Sequence, residues 1–121
     1  MSTVLIVDDS PTECHVLRIH LEKHGFDVEE AHSGEEGLEI AKAKNPDVIL
    51  MDVVMPGVNG FQATRRLSKD PDTAEIPVII VTTKDQETDK IWGMRQGAVE
   101  YIVKPVTEQM LVDKINEALA S

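Results

Sequence analysis

Five short runs rich in β-branched and other apolar residues alternate with five longer segments of helical period along a 121-residue chain. That alternation leaves few folds open. Parallel strands need a crossover of a dozen or more residues, usually a helix, so strand then helix, five times over, predicts one parallel sheet with helices on both faces. Val4-Leu5-Ile6-Val7, Val48-Ile49-Leu50-Met51 and Val78-Ile79-Ile80-Val81 are continuously apolar, the pattern of strands buried on both faces. The expected class is α/β: a (βα)5, doubly wound, five-stranded parallel sheet in a three-layer sandwich.

Capping and turn residues set the boundaries. The first strand is expected over residues 3–8. Ser10-Pro11-Thr12-Glu13 then opens a helix with an N-cap serine, a first-turn proline and a capping-box glutamate, and Leu17 and Leu21 mark its buried face. Gly25 ends that helix, a weaker strand follows over residues 27–31, and Ser33-Gly34-Glu35-Glu36 repeats the capping pattern ahead of Leu38 and Ala41. Asn45-Pro46 stops the second helix. The third strand runs to Asp52, a loop through Pro56-Gly57 leads to a helix near residues 60–69, and Asp70-Pro71-Asp72 turns into a fourth strand over residues 77–82. Asp85 is placed to cap a fourth helix ending at Gly97. Residues 99–103 form the fifth strand, and Thr107 opens a last helix whose Leu111, Ile115 and Leu119 face inward.

Length and composition narrow the function. A chain of 121 residues makes about one domain, leaving no room for a second catalytic or DNA-binding unit within them. With 22 acidic and 12 basic residues, the net charge of −10 repels nucleic acid and anionic membranes, and no basic patch offsets it. The single Cys14 excludes an internal disulfide and any multi-cysteine zinc site, which suits a reducing cytoplasm. No N-terminal signal peptide and no run of about 20 apolar residues is present, so membrane insertion is not expected.

The strand ends carry the chemistry. Asp8 and Asp9 close the first run, Asp52 the third, Thr82-Thr83 the fourth and Lys104-Pro105 the fifth. In an open α/β sheet, ligands bind outside the carboxyl ends of the strands at a topological switch point, where these acids, hydroxyls and a cation would meet. Carboxylates about 4 Å apart repel by roughly 4 kcal/mol per pair at an effective dielectric near 20, a cost that a small divalent cation removes. Mg2+ fits a carboxylate, carbonyl and water set. One carboxylate could then attack a phosphoryl group, while the cation and a lysine neutralise the transferring oxygens and a hydroxyl binds another.

At LIVDDS, LMDVVMPGVNG, VTT and YIVKP the chain resembles, over its whole length, the receiver domain of two-component response regulators, the CheY-like relative of the flavodoxin-like fold. The resemblance implies that residues 1–121 form one receiver domain with Asp52 as phosphoacceptor. It also implies that Asp9, Asp52 and the Val54 carbonyl ligate Mg2+, that Asp8 supports the ion through water, and that Thr82 and Lys104 contact the phosphoryl oxygens. Tyr101 takes the switch-aromatic position coupled to Thr82, and Lys104-Pro105 is expected to be cis. DDSPTE, NGFQATRRLSKD and IPVIIVTTKDQETDK further resemble PilH-type regulators of type IV pilus twitching motility.

The function implied is a stand-alone, monomeric, cytoplasmic phosphoacceptor in twitching or chemotaxis-type signalling. It takes its phosphoryl group from a CheA-like histidine kinase, switches binding to a downstream motility protein and catalyses only its own phosphorylation and dephosphorylation. Two alternatives compete. An aspartyl-nucleophile phosphohydrolase would need an acid where Val54 stands, and a receiver-shaped adaptor that is never phosphorylated would not need the full set of site residues. His15, His20, His24 and His32 lack metal-ligand spacing and are assigned no function, with His20 and His24 expected to be solvated. Cys14 is read as a small helix residue, and Trp92 divides evenly between core packing and an exposed partner contact.

Overall fold

The computed structural model describes residues 2–120. Its elements are β1 (Thr3–Val7), α1 (Pro11–Lys23), β2 (Asp27–Ala31), α2 (Gly34–Lys44), β3 (Val48–Met51), α3 (Gly60–Lys69), β4 (Val78–Thr82), α4 (Glu87–Arg95), β5 (Glu100–Val103) and α5 (Glu108–Ala120). All strand pairs are parallel, in the order β2-β1-β3-β4-β5. The doubly wound class expected from the alternation is the one observed. Its switch point lies between β1 and β3, because the chain leaves β1 towards β2 on one side and returns to β3 on the other.

Strand periodicity divides the interior into two layers. Val4, Ile6, Val48, Leu50, Ile79, Val81 and Ile102 face α1 and α5, meeting Leu17, Leu21, Leu111 and Ile115. Their alternates Leu5, Val7, Ile49, Met51 and Val78 face α2 and α3, meeting Ala41, Ala63 and Leu67. Ile80 packs with Val53, Ala98, Phe61 and Tyr101 in a third, smaller cluster. Leu119 is only partly buried at the edge of the first layer. Among the described residues no helix is long and apolar enough to cross a membrane.

The punctuation residues act largely as expected. Ser10 and Ser33 accept from the backbone N–H groups of Glu13 and Glu36. Gly25, Asn45 and Gly97 take the left-handed conformation at φ 86°, 48° and 113° just past α1, α2 and α4. Thr107 accepts from Met110 N–H at the start of α5. β1 ends at Val7 rather than Asp8 and β4 starts at Val78 rather than Pro77, although Asp8 N–H still donates to Ala31 and Ile49 N–H to the Pro77 carbonyl.

Two capping expectations are corrected. Asp85 does not cap α4: the N-cap is Gln86, whose carbonyl accepts from Asp89 and Lys90 N–H, so Asp85 lies one residue too early to reach the free donors. Neither serine cap closes a full box either. Ser10 N–H donates to Asp8, which leaves the Glu13 carboxylate for Lys104, and Glu36 accepts from His32 N–H instead of Ser33. The reciprocal box is formed by Asn59 and Gln62 at α3.

Candidate functional site

Asp8, Asp52 and Lys104 stand one step beyond the ends of β1, β3 and β5. Asp8 N–H donates to Ala31, Asp52 N–H to Val7 and Lys104 N–H to Thr82, so the ladder continues past each strand end and fixes the backbone from which these side chains project. Asp8 and Asp52 are buried, while Asp9 is exposed. One carboxylate oxygen from each of Asp8, Asp9 and Asp52 lies within 4.8 Å of the others.

Each buried acid has its two oxygens divided between different partners. Asp8 Oδ1 accepts from Ser10 N–H at 2.9 Å and Asp52 Oδ1 from Val54 N–H at 3.1 Å, both turns in which the acid bonds the backbone two residues on. The second oxygens face Lys104, whose Nζ lies 3.0 Å from Asp8 Oδ2 and 3.4 Å from Asp52 Oδ2. Glu13 Oε1 is 3.2 Å from the same ammonium. Sequence spacing gave no sign of Glu13's reach, because a capping-box reading assigned its carboxylate elsewhere.

Electrostatics follow from this arrangement. Burial raises the Asp8 carboxyl above the usual aspartate value, and the charge on Asp52 adds to that, against the opposing hydrogen bonds from Ser10 and Lys104. Burial alone would lower Lys104, but its hydrogen bond to Asp8 and the charges of Asp52, Asp8 and Glu13 outweigh this and hold the ammonium above the ordinary lysine range. The pocket is thus acid-rich around one firmly protonated cation.

Thr82 is fully buried, and its hydroxyl lies 3.4 Å from Lys84 N–H. Tyr101 is half-buried against Ile80, and its hydroxyl donates to the Lys84 carbonyl at 2.9 Å. Burial first, and then the charges of Asp89, Asp52 and Asp85, push its phenol up to about 12. Room for the ring comes from Gly93, where a Cβ would meet Ile80 Cδ1 at 2.8 Å and Tyr101 Cδ2 at 3.0 Å. The Lys104–Pro105 peptide is cis. Val54 and Trp92 are each 50 % exposed, the latter on the surface beside Phe61, Arg65 and Gln96.

All six side chains named for the site, from Asp8, Asp9, Asp52, Thr82, Tyr101 and Lys104, therefore come from one sheet edge and its adjoining loops, with Val54 two residues past Asp52. A groove of about 290 Å3 leads away past Thr83, Lys104, Pro105 and Val106 to Val16 and His20. His24 is exposed, as expected, and His20 is half-buried, but neither is without a partner. Glu108 on α5 sits between them, 2.7 Å from His20 Nδ1 and 2.8 Å from His24 Nε2, and both contacts hold its carboxyl below the usual range.

The oxygen set fits a small hard cation: three carboxylates share one pocket, and Lys104 offsets the charge of Asp8 and Asp52. Asp52, like Asp8, is a buried acid with Lys104 on one oxygen and a backbone N–H on the other, an environment able to orient a nucleophilic carboxylate.

Comparison with known proteins agrees in fold and in sequence. The family model for the response regulator receiver domain matches residues 4–116. The Pseudomonas aeruginosa protein PilH is 61 % identical over 120 residues, covering 99 % of each chain. The Synechocystis DNA-binding dual master transcriptional regulator RpaA is 37 % identical over 98 % of this chain, which spans only 49 % of that longer protein. Among solved structures, Vibrio cholerae chemotaxis protein CheY4 superposes with a TM-score of 0.92 at 31 % identity, covering 98 % of this chain and 99 % of that one. A receiver domain protein from Clostridium thermocellum gives a TM-score of 0.92 at 34 % identity, over 99 % of this chain and 95 % of the other.

Proposed function

The chain belongs to the response regulator receiver domain family, and from that premise we propose that residues 1–121 act as one receiver domain that takes a phosphoryl group from a histidine kinase onto Asp52. The observation that carries this reading is the placement of buried Asp52 beside Lys104 at the β1/β3 switch point, with Asp8, Asp9 and Thr82 around it. Asp9, Asp52 and the Val54 carbonyl would hold Mg2+, with Asp8 supporting it through water. The ion supplies charge neutralisation for the transferring oxygens.

The step itself needs few parts. An Asp52 oxygen forms the new P–O bond as the P–N bond to the donor histidine breaks, and the leaving imidazole takes a proton from solvent. Lys104 turns one of its donors from the acids to a phosphoryl oxygen, and the Thr82 hydroxyl binds another. Water later hydrolyses the acyl phosphate. While the acyl phosphate lasts, Thr82 moving towards the phosphoryl group biases Tyr101 and the β4–α4 loop, which alters the α4, β5 and α5 face and its protein partners.

Such a domain turns over no separate substrate and signals by binding other proteins in the cytoplasm. The likeness to PilH supports a CheA-like kinase and an output in type IV pilus motility. Incubation with acetyl phosphate and Mg2+ followed by intact-mass measurement tests the acceptor. Asp52→Asn should abolish the adduct and chelation should prevent it, whereas an adduct that survives either change overturns the assignment. Deletion in a piliated host should disturb twitching, and intact twitching with defective swimming would redirect the pathway to flagellar chemotaxis.

A further inference from the structure

We propose that Cys14, Glu30 and His32 form a second cation site, beside the acid pocket, for a thiophilic divalent ion of the Zn2+ class. Cys14 lies in the first turns of α1, Glu30 near the end of β2, and His32 just past it. Packing α1 over β2 brings one ligand atom of each within 4.8 Å of the other two. His32 Nε2 is already 3.2 Å from Glu30 Oε1. In a tetrahedral zinc site, bonds of about 2.3 Å to sulfur and about 2.0–2.2 Å to nitrogen and oxygen put ligand atoms roughly 3.5 Å apart, so small side-chain movements complete the geometry.

One detail favours a cation over a plain surface ion pair above an inert thiol. The other Glu30 oxygen, Oε2, is held by Arg18 Nε, which leaves Oε1 turned towards His32, and outer partners orient metal-binding carboxylates in this way. Binding also requires the Cys14 thiol to give up its contact with the Asp8 carbonyl, to which it donates at 3.4 Å. The thiol proton passes to solvent as the sulfur–metal bond forms. His32, 46 % exposed, leaves an entry path and room for a water as fourth ligand. Donor type separates the two sites, since sulfur and imidazole select zinc-like ions while the acid pocket offers hard oxygens.

Titration of the tag-free full chain with Co2+ in excess Mg2+, read by absorbance and followed by Zn2+ displacement, tests the site. Thiolate-to-cobalt charge transfer is expected, saturating at one ion per chain. His32→Ala, at an exposed position that keeps the fold, should weaken Zn2+ binding by at least about tenfold, the lower bound for losing even an outer partner. Cys14→Ser should remove the charge-transfer band. Absence of that band from the unaltered chain, or unchanged affinity in His32→Ala, overturns the proposal. So does binding that disappears in Asp9→Asn but not in His32→Ala, which would put the ion among the acids.

Discussion

Replacing Lys104 with methionine isolates what one cation does in an acid pocket. The side chain is 13 % exposed, and the Asp8 and Asp52 side chains facing it are 4 % and 11 % exposed. At 3.0 and 3.4 Å each pair attracts by a gross ~5 kcal/mol at an effective dielectric near 20, but desolvation of the ammonium cancels much of that. Glu13, 46 % exposed, adds little. Methionine keeps most of the packing volume, so the loss is that of a buried charge pair with one partner removed, about 3–5 kcal/mol. The low end applies, because burial already raises the Asp8 carboxyl above the usual aspartate value, which eases uptake of a proton once Lys104 is gone.

In urea, with slopes of about 1–3 kcal/mol/M for small proteins, the metal-free midpoint should fall by roughly 1–3 M. Excess Mg2+ should restore part of it, since a ligand at about 100 times its Kd contributes about 2.7 kcal/mol. Adding Asp8→Asn to Lys104→Met should recover stability, because the unpaired carboxylate is then gone. A single variant within about 0.5 kcal/mol of the original, or a double variant in which the two effects simply add, would refute the reasoning.

Other outcomes follow from the same geometry. Burial raises the folded Asp8 value, so its contribution is fully present below the ordinary value of 3.8 and is lost as pH rises through the higher folded value; in chelator, the stability of Asp8→Asn relative to the original chain should therefore rise as pH climbs from about 4, and urea midpoints whose difference stays flat or falls would contradict this. Gly60→Ala places a Cβ 2.2 Å from the Asp52 carbonyl and 2.6 Å from Val53 Cα, both rigid backbone, so thermal or urea unfolding should show a loss of about 1–3 kcal/mol despite the better helix former. Val54 is half-exposed two residues past Asp52 and cannot orient water, Thr83 adds bulk at the mouth, and Lys84, two residues past Thr82 with its ammonium 3.9 Å from Asp89, is expected to reach over the phosphoryl group. Val54→Asn with Lys84→Glu should speed loss of the Asp52 phosphoryl group on the order of tenfold, measured as decay in Mg2+ after donor removal, and equal or slower decay would show that these positions do not set the lifetime.

Features recorded by local pattern were legible in the sequence. Continuous apolar runs identify β1, β3 and β4, and the residues closing them identify the sheet edge, because strand period and strand end are properties of consecutive residues. Strand β2, Asp27–Ala31, was legible only from its flanks: its sequence DVEEA is polar, as suits an edge strand with Glu29 and Glu30 partly exposed. Boundaries slipped by one residue where the hydrogen-bonded ladder outlasts the strand, as at Asp8 and Pro77. The Asp85 misassignment has a similar source. Acidic Asp85, Glu87 and Asp89 offer several equivalent starts for α4, and backbone geometry alone selects Gln86.

What the sequence hid are pairings between side chains distant in the chain. Glu13 has the spacing of a capping box, yet the competing donor at Ser10 is taken by Asp8, and a buried ammonium from β5 is the better partner for a carboxylate. His20 and His24 sit one turn apart with no neighbour in sequence to explain them, and their carboxylate arrives from α5, 88 and 84 residues away. Together these contacts tie α1 at both ends: its first turn through Glu13 to Lys104, and its last turns through the two histidines to Glu108. The ties differ in what can release them. An anion that draws Lys104 away from the acids removes the partner of Glu13, while Glu108 keeps the far end of α1 on α5, so charge added at the strand ends acts on the start of α1 without detaching the helix.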